Sequence, residues 1–177
     1  MITMKKQIRL LTIIIILFAA NILGLCSAKH QPLLNKNEEV LISFKLANSN
    51  KVLTVATSKK EPGYIVYRFG QKNKIELEYP KDLSKSWERF TYSYYFRGGG
   101  PENEGLDLNY LRFTNGNYTY TIYEERQSED GSEKVGVIVR NNITKKETDL
   151  KGDYSSIEGS LIMLRFEKRI NNGDIEY

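Results

Sequence analysis

The chain has 177 residues, with 26 Lys or Arg, 22 Asp or Glu, one His and one Cys, and a formal net charge of +4. This length suits one domain. A single His and a single Cys exclude a disulfide framework and a metal site built from His and Cys ligands.

The N-terminal segment predicts a secretory signal peptide, residues 1–28. Lys5, Lys6 and Arg9 precede an apolar stretch from residue 10 to residue 25. Cys26-Ser27-Ala28 then supplies the small residues that signal cleavage requires, which places cleavage after Ala28. We therefore expect a periplasmic or secreted protein.

Two alternatives remain for this segment. An uncleaved membrane anchor needs about 20 apolar residues, more than this stretch provides. A lipoprotein would carry its acyl group on Cys26; Leu23 suits the position three residues before that Cys, whereas Leu25 stands where a small residue is usual. A membrane is an expected partner only if Cys26 is lipidated.

Cleavage would change the charge of the chain. It removes three basic residues and the only Cys, which leaves 23 basic and 22 acidic residues and a net charge of +1. No long basic run remains, so nucleic acid is not an expected partner. We expect a flexible N-terminal segment over residues 29–39, a β domain over 40–168 and a frayed tail over 169–177.

Alternating apolar and polar residues predict strands along the whole β domain. The predicted strands lie near residues 40–46, 52–56, 64–69, 74–79, 87–96, 106–114, 118–123, 135–140, 147–151 and 161–167. The stretch 153–160 fits either a loop or a helical turn. About nine to ten short strands without an amphipathic helix predict an all-β fold, a single antiparallel sandwich or barrel.

The dipeptide Asn115-Gly116 is the strongest hairpin signal in the chain, because both positions of the favoured two-residue turn need a positive φ. With this dipeptide as the whole loop, Phe113 faces Tyr118 across the hairpin. Such aromatic pairs stabilise a sheet by roughly 0.2–1 kcal/mol each.

The residues favour a protein without catalytic chemistry. His30 is the only His and lies next to the expected mature N-terminus, so Ser–His–Asp and Cys–His arrangements are excluded. A glycosidase needs only two carboxylates at a defined separation. One loop contains three acidic residues, Glu102, Glu104 and Asp107, and another contains residues 129–130. The sequence does not determine the distances between these carboxylates. We predict no catalytic residue, no cofactor and no metal.

Aromatic residues are concentrated between residues 64 and 123. Tyrosine suits half-buried sheets, yet its hydroxyl needs a partner when buried, and the residue is favoured at interfaces. Along the predicted strand 87–96, one face carries Phe90, Tyr92, Tyr94 and Phe96, and the other carries Tyr95. The rings therefore form either a core alone or a core and a contact surface.

A glycine-rich loop, residues 97–105, follows that strand. Gly98-Gly99-Gly100 lacks the Gly-Lys-Ser/Thr continuation of a phosphate-binding loop, which favours a hairpin loop. Loops held by a rigid sheet are common binding sites, and this one has the composition to enter a partner's cleft. The candidate contact residues are Trp87, Tyr95, Arg97, Gly98, Gly99, Gly100 and Glu102.

Three stretches, Tyr64–Gly70, Ile75–Pro80 and Phe113–Tyr120, resemble a family of small exported bacterial β-rich proteins with a Tyr-x-x-Tyr-Arg-Phe-Gly motif, mostly of unassigned function. The resemblance covers most of the mature chain and implies no catalytic residues. The layout is also loosely similar to that of periplasmic lysozyme inhibitors, whose disulfide cysteines this chain lacks.

We expect a non-enzymatic exported domain that binds another protein. An inhibitor or immunity protein against a cell-wall hydrolase or a secreted toxin fits export, the missing catalytic groups, the Tyr-rich sheet and the glycine-rich loop. The alternative is a carbohydrate- or peptidoglycan-binding module that stacks aromatic rings on sugars.

Overall fold

The computed structural model describes residues 30–61, 63–100 and 104–174. The predicted signal peptide, Cys26 and Glu102 lie outside the described residues. The strands are β1 (Glu38–Lys45), β2 (Val52–Ser58), β3 (Ile65–Gln71), β4 (Lys74–Tyr79), β5 (Thr91–Arg97), β6 (Leu106–Asn115), β7 (Tyr118–Gln127), β8 (Glu133–Asn141), β9 (Glu147–Lys151), β10 (Glu158–Gly159) and β11 (Asn171–Asn172). Three short 3-10 helices join them: η1 (Ser86–Arg89), η2 (Tyr154–Ser156) and η3 (Leu161–Phe166).

The strands form two sheets, one in the order β10-β1-β2-β3-β4 and the other in the order β11-β5-β6-β7-β8-β9. Every pair is antiparallel except the short parallel pair of β11 and β5. The inner faces of both sheets contribute to one buried cluster, so the fold is a sandwich. The all-β prediction is confirmed, and two of the eleven strands are only two residues long.

The core is centred on a group of aromatic rings. The Phe113 ring stacks on Tyr79 at 4.4 Å between centroids and on Tyr120 at 4.8 Å. Tyr67 and Phe90 contact the same ring from the sides. Offset and edge contacts of this kind contribute about 0.5–1.5 kcal/mol each beyond the burial of area. Much of the aromatic surplus is therefore core.

The β6–β7 hairpin corrects the predicted register. Its loop is Gly116-Asn117, and Asn115 pairs with Tyr118, so Phe113 faces Tyr120. Gly116 has φ +58 and Asn117 has no positive φ, a combination typical of a type II′ turn with glycine first. The predicted turn needed a positive φ at Asn115 as well, whereas the observed turn needs it only at the glycine.

Of two predicted strands, one is wrong in part and the other is wrong. The strand expected over 87–96 begins at Thr91, because Ser86–Arg89 makes a helical turn after Lys85, whose φ is 53. The strand expected over 161–167 is η3, which Ser160 caps by accepting the N–H of Ile162. Leu161 and Leu164 face the core with the three-residue spacing of a 3-10 helix.

The domain extends beyond its predicted boundaries at both ends. β1 begins at Glu38, and Leu33 is buried on the outer face of the first sheet, where its N–H donates to Thr54 Oγ1. At the other end Ile170 is 5% exposed and β11 pairs with β5. The prediction of a frayed tail from residue 169 is therefore wrong for residues 170–172.

The outer face of the second sheet carries a large ring over a glycine. Tyr123 pairs with Gly136 on β8 and is 6% exposed, although its side chain points away from the core. A Cβ added at Gly136 would collide with the Tyr123 hydroxyl and ring. That hydroxyl donates to Asp149 on β9 at 3.0 Å, and burial raises its pKa. The missing side chain at position 136 is what lets the ring lie flat.

A buried ion pair joins the strands of the first sheet. Arg68 donates from Nη1 and Nη2 to the two oxygens of Glu38, at 2.6 and 2.9 Å, and from Nε to Glu78 at 2.7 Å. The Arg68 and Glu38 side chains are 4% and 0% exposed. Burial alone would raise the pKa of Glu38, but the bonds and charge of Arg68, with Asn35 and Tyr64 as further donors, hold that pKa below its ordinary 4.5.

Arg68→Met tests this pair. We expect a loss of about 3–5 kcal/mol in the free energy of unfolding at pH 7, because the buried Glu38 carboxylate loses its partner. Urea denaturation measures it. The matched control is Lys51→Met, which removes the half-exposed pair with Glu76 and is expected to cost about 1 kcal/mol or less. Equal losses of unfolding free energy in the two variants would contradict the assignment of Arg68 and Glu38 as a buried ion pair that is costly to break.

We also expect the stability difference between the wild type and Arg68→Met to depend on pH. The lowered pKa of Glu38 stabilises the wild type above pH 4.5, and that stability is lost as the pH falls through the folded-state pKa. Without Arg68, burial raises the Glu38 pKa, so the variant gains stability as the pH falls through the raised value. Urea titrations from pH 7 to 4 should show the two stabilities converging; a constant difference would contradict this.

Candidate functional site

The buried core stops partway along β5. Tyr94 and Phe96 lie on the same face of β5 as Tyr92, yet they are 49% and 60% exposed, whereas Tyr92 is 1% exposed. Beside them the inner-face positions of β6 change from Leu111 to Asn109. The inner face of the second sheet is therefore polar at this end, although the strands continue.

A hydrogen-bonded network occupies this polar end. The Tyr92 hydroxyl donates to Asn109 Oδ1 at 2.7 Å, and Asn109 Nδ2 donates to Asp107 at 2.6 Å. Arg165 from η3 donates to Asn109 Oδ1 at 2.9 Å and forms an ion pair with Asp107. Burial raises the pKa of Tyr92 to about 12, so its hydroxyl stays a donor at neutral pH. The network fixes Arg165 against β6.

Arg165 in turn lies over two exposed rings. Its guanidinium carbon is 4.8 Å from the Tyr94 ring centroid and 5.5 Å from that of Phe96, both within cation–π range. The next residue, Phe166, is 84% exposed. We call these four residues, Tyr94, Phe96, Arg165 and Phe166, the aromatic–arginine surface.

Glu124 positions the helix that carries Arg165. Its carboxylate is fully buried and accepts the Leu161 N–H at 2.7 Å, the Ser160 hydroxyl at 2.8 Å and Arg126 Nη2 at 2.7 Å. Arg126 Nε donates to the Tyr154 hydroxyl at 2.8 Å. The Glu124–Arg126 pair on β7 therefore holds both η2 and η3 on the inner face.

The glycine-rich loop lies beside the aromatic–arginine surface. A pocket of about 310 Å³ opens there between the β5–β6 and β7–β8 loops, with Phe96, Gly99, Asp107 and Arg126 in its lining. Arg97 Nε donates to the Glu104 carbonyl at 2.8 Å. Among the residues that the structure describes, none lies within 4 Å of a Cβ built at Gly98 or Gly100.

The structure brings together most of the candidate contact residues. Tyr95 is 38% exposed on the outer face of β5, and Arg97 with Gly98–Gly100 follows at the end of that strand. Trp87 lies apart from them, in η1 before the other end of β5, a strand about 20 Å long at roughly 3.3 Å per residue. It is 6% exposed, with Arg169 4.4 Å from its ring.

Sequence reasoning missed Arg165, Phe166 and Glu124. The alternation Tyr118, Tyr120, Ile122 places Glu124 on the core face, and a charge at such a position signals a buried partner. The signal for η3 was Ser160 as a cap followed by the three-residue spacing of two leucines. Neither signal says that the two elements meet.

No protein-family model, curated protein or solved structure matches this chain. The resemblance to small exported β-rich proteins therefore stays a prediction. Among the residues that the structure describes, no group of three or more His, Cys, Asp or Glu side chains has the arrangement of a metal site. Within those same ranges no helix is long and apolar enough to cross a membrane.

Glu124→Gln tests the anchoring of η3. We expect a loss of about 1–3 kcal/mol in the free energy of unfolding, because an amide oxygen replaces a charged acceptor and its NH₂ group faces donors. Amide hydrogen exchange at Leu161 should accelerate as well. Glu129→Gln, in an exposed loop, is the control and should change neither. An unchanged Leu161 exchange rate would contradict the proposed anchor.

Proposed function

We propose that this chain is an exported, non-enzymatic domain that binds another protein, as an inhibitor or immunity protein against a cell-wall hydrolase or a secreted toxin. The observation that carries the proposal is the aromatic–arginine surface beside the glycine-rich loop. Aromatic residues and arginine are enriched at protein interfaces and dominate their binding energy.

Exposure of these rings supports an interaction site. A fully buried aromatic or aliphatic side chain stabilises a protein by roughly 1.5–3 kcal/mol relative to an exposed one. Phe96 and Phe166 forgo most of that gain at 60% and 84% exposure. Exposed apolar groups beside polar ones mark interaction surfaces, and the Arg165 guanidinium lies over both Tyr94 and Phe96.

The arginine supports the same interpretation. The Arg165 side chain is 15% exposed and already bonded to Asp107 and Asn109. Its conformation is therefore fixed before any partner arrives, which reduces the entropy lost on binding. At the end of β5, none of the described residues lies within 4 Å of a Cβ built at Gly98 or Gly100, which suits a loop that adapts to a cleft.

Site-specific photocrosslinking tests the proposal. A benzoylphenylalanine residue replaces Phe166 in one variant and Tyr118 in another. Tyr118 is 43% exposed at the β6–β7 turn, at the opposite end of the sheet, and serves as the control. Irradiation of cells that export the protein should yield a protein adduct from position 166 and not from position 118, identified by mass spectrometry.

The captured protein is then purified and its activity measured against added wild-type chain. We expect inhibition, weakened about tenfold or more by the double variant Phe96→Ala/Phe166→Ala, and little changed by Tyr118→Ala. Identical adducts from both positions, or a captured enzyme that is not inhibited, would contradict the proposal. An adduct to peptidoglycan fragments would instead indicate the carbohydrate-binding alternative.

A further inference from the structure

β5 lies near the edge of the second sheet, and the short strand β11 covers only its beginning. β11 pairs with Thr91 and Tyr92, and the Gly173 N–H donates to the Tyr92 carbonyl at 2.9 Å. Among the residues that the structure describes, no strand pairs with the same side of Ser93–Arg97. We call this stretch the open edge.

The pairing pattern shows which backbone groups the open edge presents. Successive residues of a strand direct their N–H and C=O groups to opposite sides. Tyr92 directs its carbonyl at β11, so Tyr94 and Phe96 direct theirs to the same side, away from β6. Tyr95 between them faces Leu108 on β6. Over the described ranges, no hydrogen bond engages the outward groups of Tyr94 and Phe96.

Proteins usually protect such an edge with charges, proline, bulges or a covering segment. Here the open edge carries three consecutive exposed aromatic residues, Tyr94, Tyr95 and Phe96. The outward N–H and C=O groups of Tyr94 and Phe96, two donors and two acceptors, thus lie among aromatic rings. That combination favours the addition of another strand.

We infer that the added strand is the open edge of a second copy of this chain, antiparallel and related by a two-fold axis at Tyr95. In that register Tyr94 of the first copy exchanges two hydrogen bonds with Phe96 of the second copy. By symmetry, Phe96 of the first copy exchanges two hydrogen bonds with Tyr94 of the second. All four outward groups of each copy are then bonded. β11 limits the paired stretch at one end and the end of β5 at Arg97 limits it at the other.

The exposed aromatic area at the open edge indicates how strong this dimer is. At about 200 Å² per aromatic side chain, the three rings expose roughly 300 Å² per copy. A standard stable interface buries about 800 Å² per partner, so this one belongs to the small, transient class. The dimer is therefore weak and depends on concentration. The inference does not rest on the proposed function, although Tyr94 and Phe96 belong to both surfaces, so the two contacts exclude each other.

Disulfide trapping tests the register. In a Cys26→Ser background, Tyr95→Cys places two thiols in a non-hydrogen-bonded pair with Cα atoms about 4.5 Å apart, within disulfide range. Arg97→Cys is the matched control, on the same strand face but about 13 Å from its copy along the strand. Mild oxidation should form a covalent dimer at least about tenfold faster from Tyr95→Cys. Equal rates, or no dimer, would overturn the inference.

Hydrogen exchange on the unmodified chain supplies an independent measurement. The Tyr94 and Phe96 amides should exchange about tenfold more slowly in concentrated than in dilute protein, while the Gly99 amide does not change. Sedimentation should show the mass rising toward two chains over the same range. Protection that persists at every dilution would mean that the edge is covered within one chain, and no protection at any concentration would mean that it stays open; either result overturns the inference.

Discussion

A single buried carboxylate, Glu124, sets the geometry of the aromatic end of this sandwich. It has no exposed surface and accepts hydrogen bonds from the first residues of η3 and from Arg126. Bonds to a charged acceptor are the stronger kind, and η3 has only two leucines as core anchors. The position of Arg165 over Tyr94 and Phe96 therefore follows from a charge on β7.

The two sheets use buried charge in different places. The first sheet has its ion pair on the outer face, where Arg68 joins Glu38 and Glu78 and helps to hold the segment before β1. The second sheet has its charges on the inner face, beyond the aromatic core. Buried pairs contribute little net stability compared with apolar packing, but a broken pair is costly. Each network thus restricts the arrangements that the sandwich can adopt.

Alternation along the chain was sufficient to predict an all-β fold and most of the strands, because a two-residue period follows directly from half-buried sheets. The six residues of η3 were too few for a three-residue period to be distinguished from alternation. Ser160 lies 36 positions from Glu124, so no local pattern predicts their contact. The candidate contact residues stay a prediction: Tyr95 lies on the outer face of β5, Arg97 and the glycines lie at the end of that strand, and Trp87 lies at its other end. Arg165 was not among them.

The ring of Tyr123 over Gly136 also constrains how this sequence is able to diverge. Any side chain at position 136 would displace the ring, and a smaller residue at position 123 would leave the glycine uncovered. The two positions are thus expected to change together over evolutionary time. Asp149, which accepts the hydrogen bond of the Tyr123 hydroxyl, is expected to change with them. Distant relatives would then be recognised by a tyrosine and a glycine on neighbouring strands of the same sheet, even where overall identity has been lost.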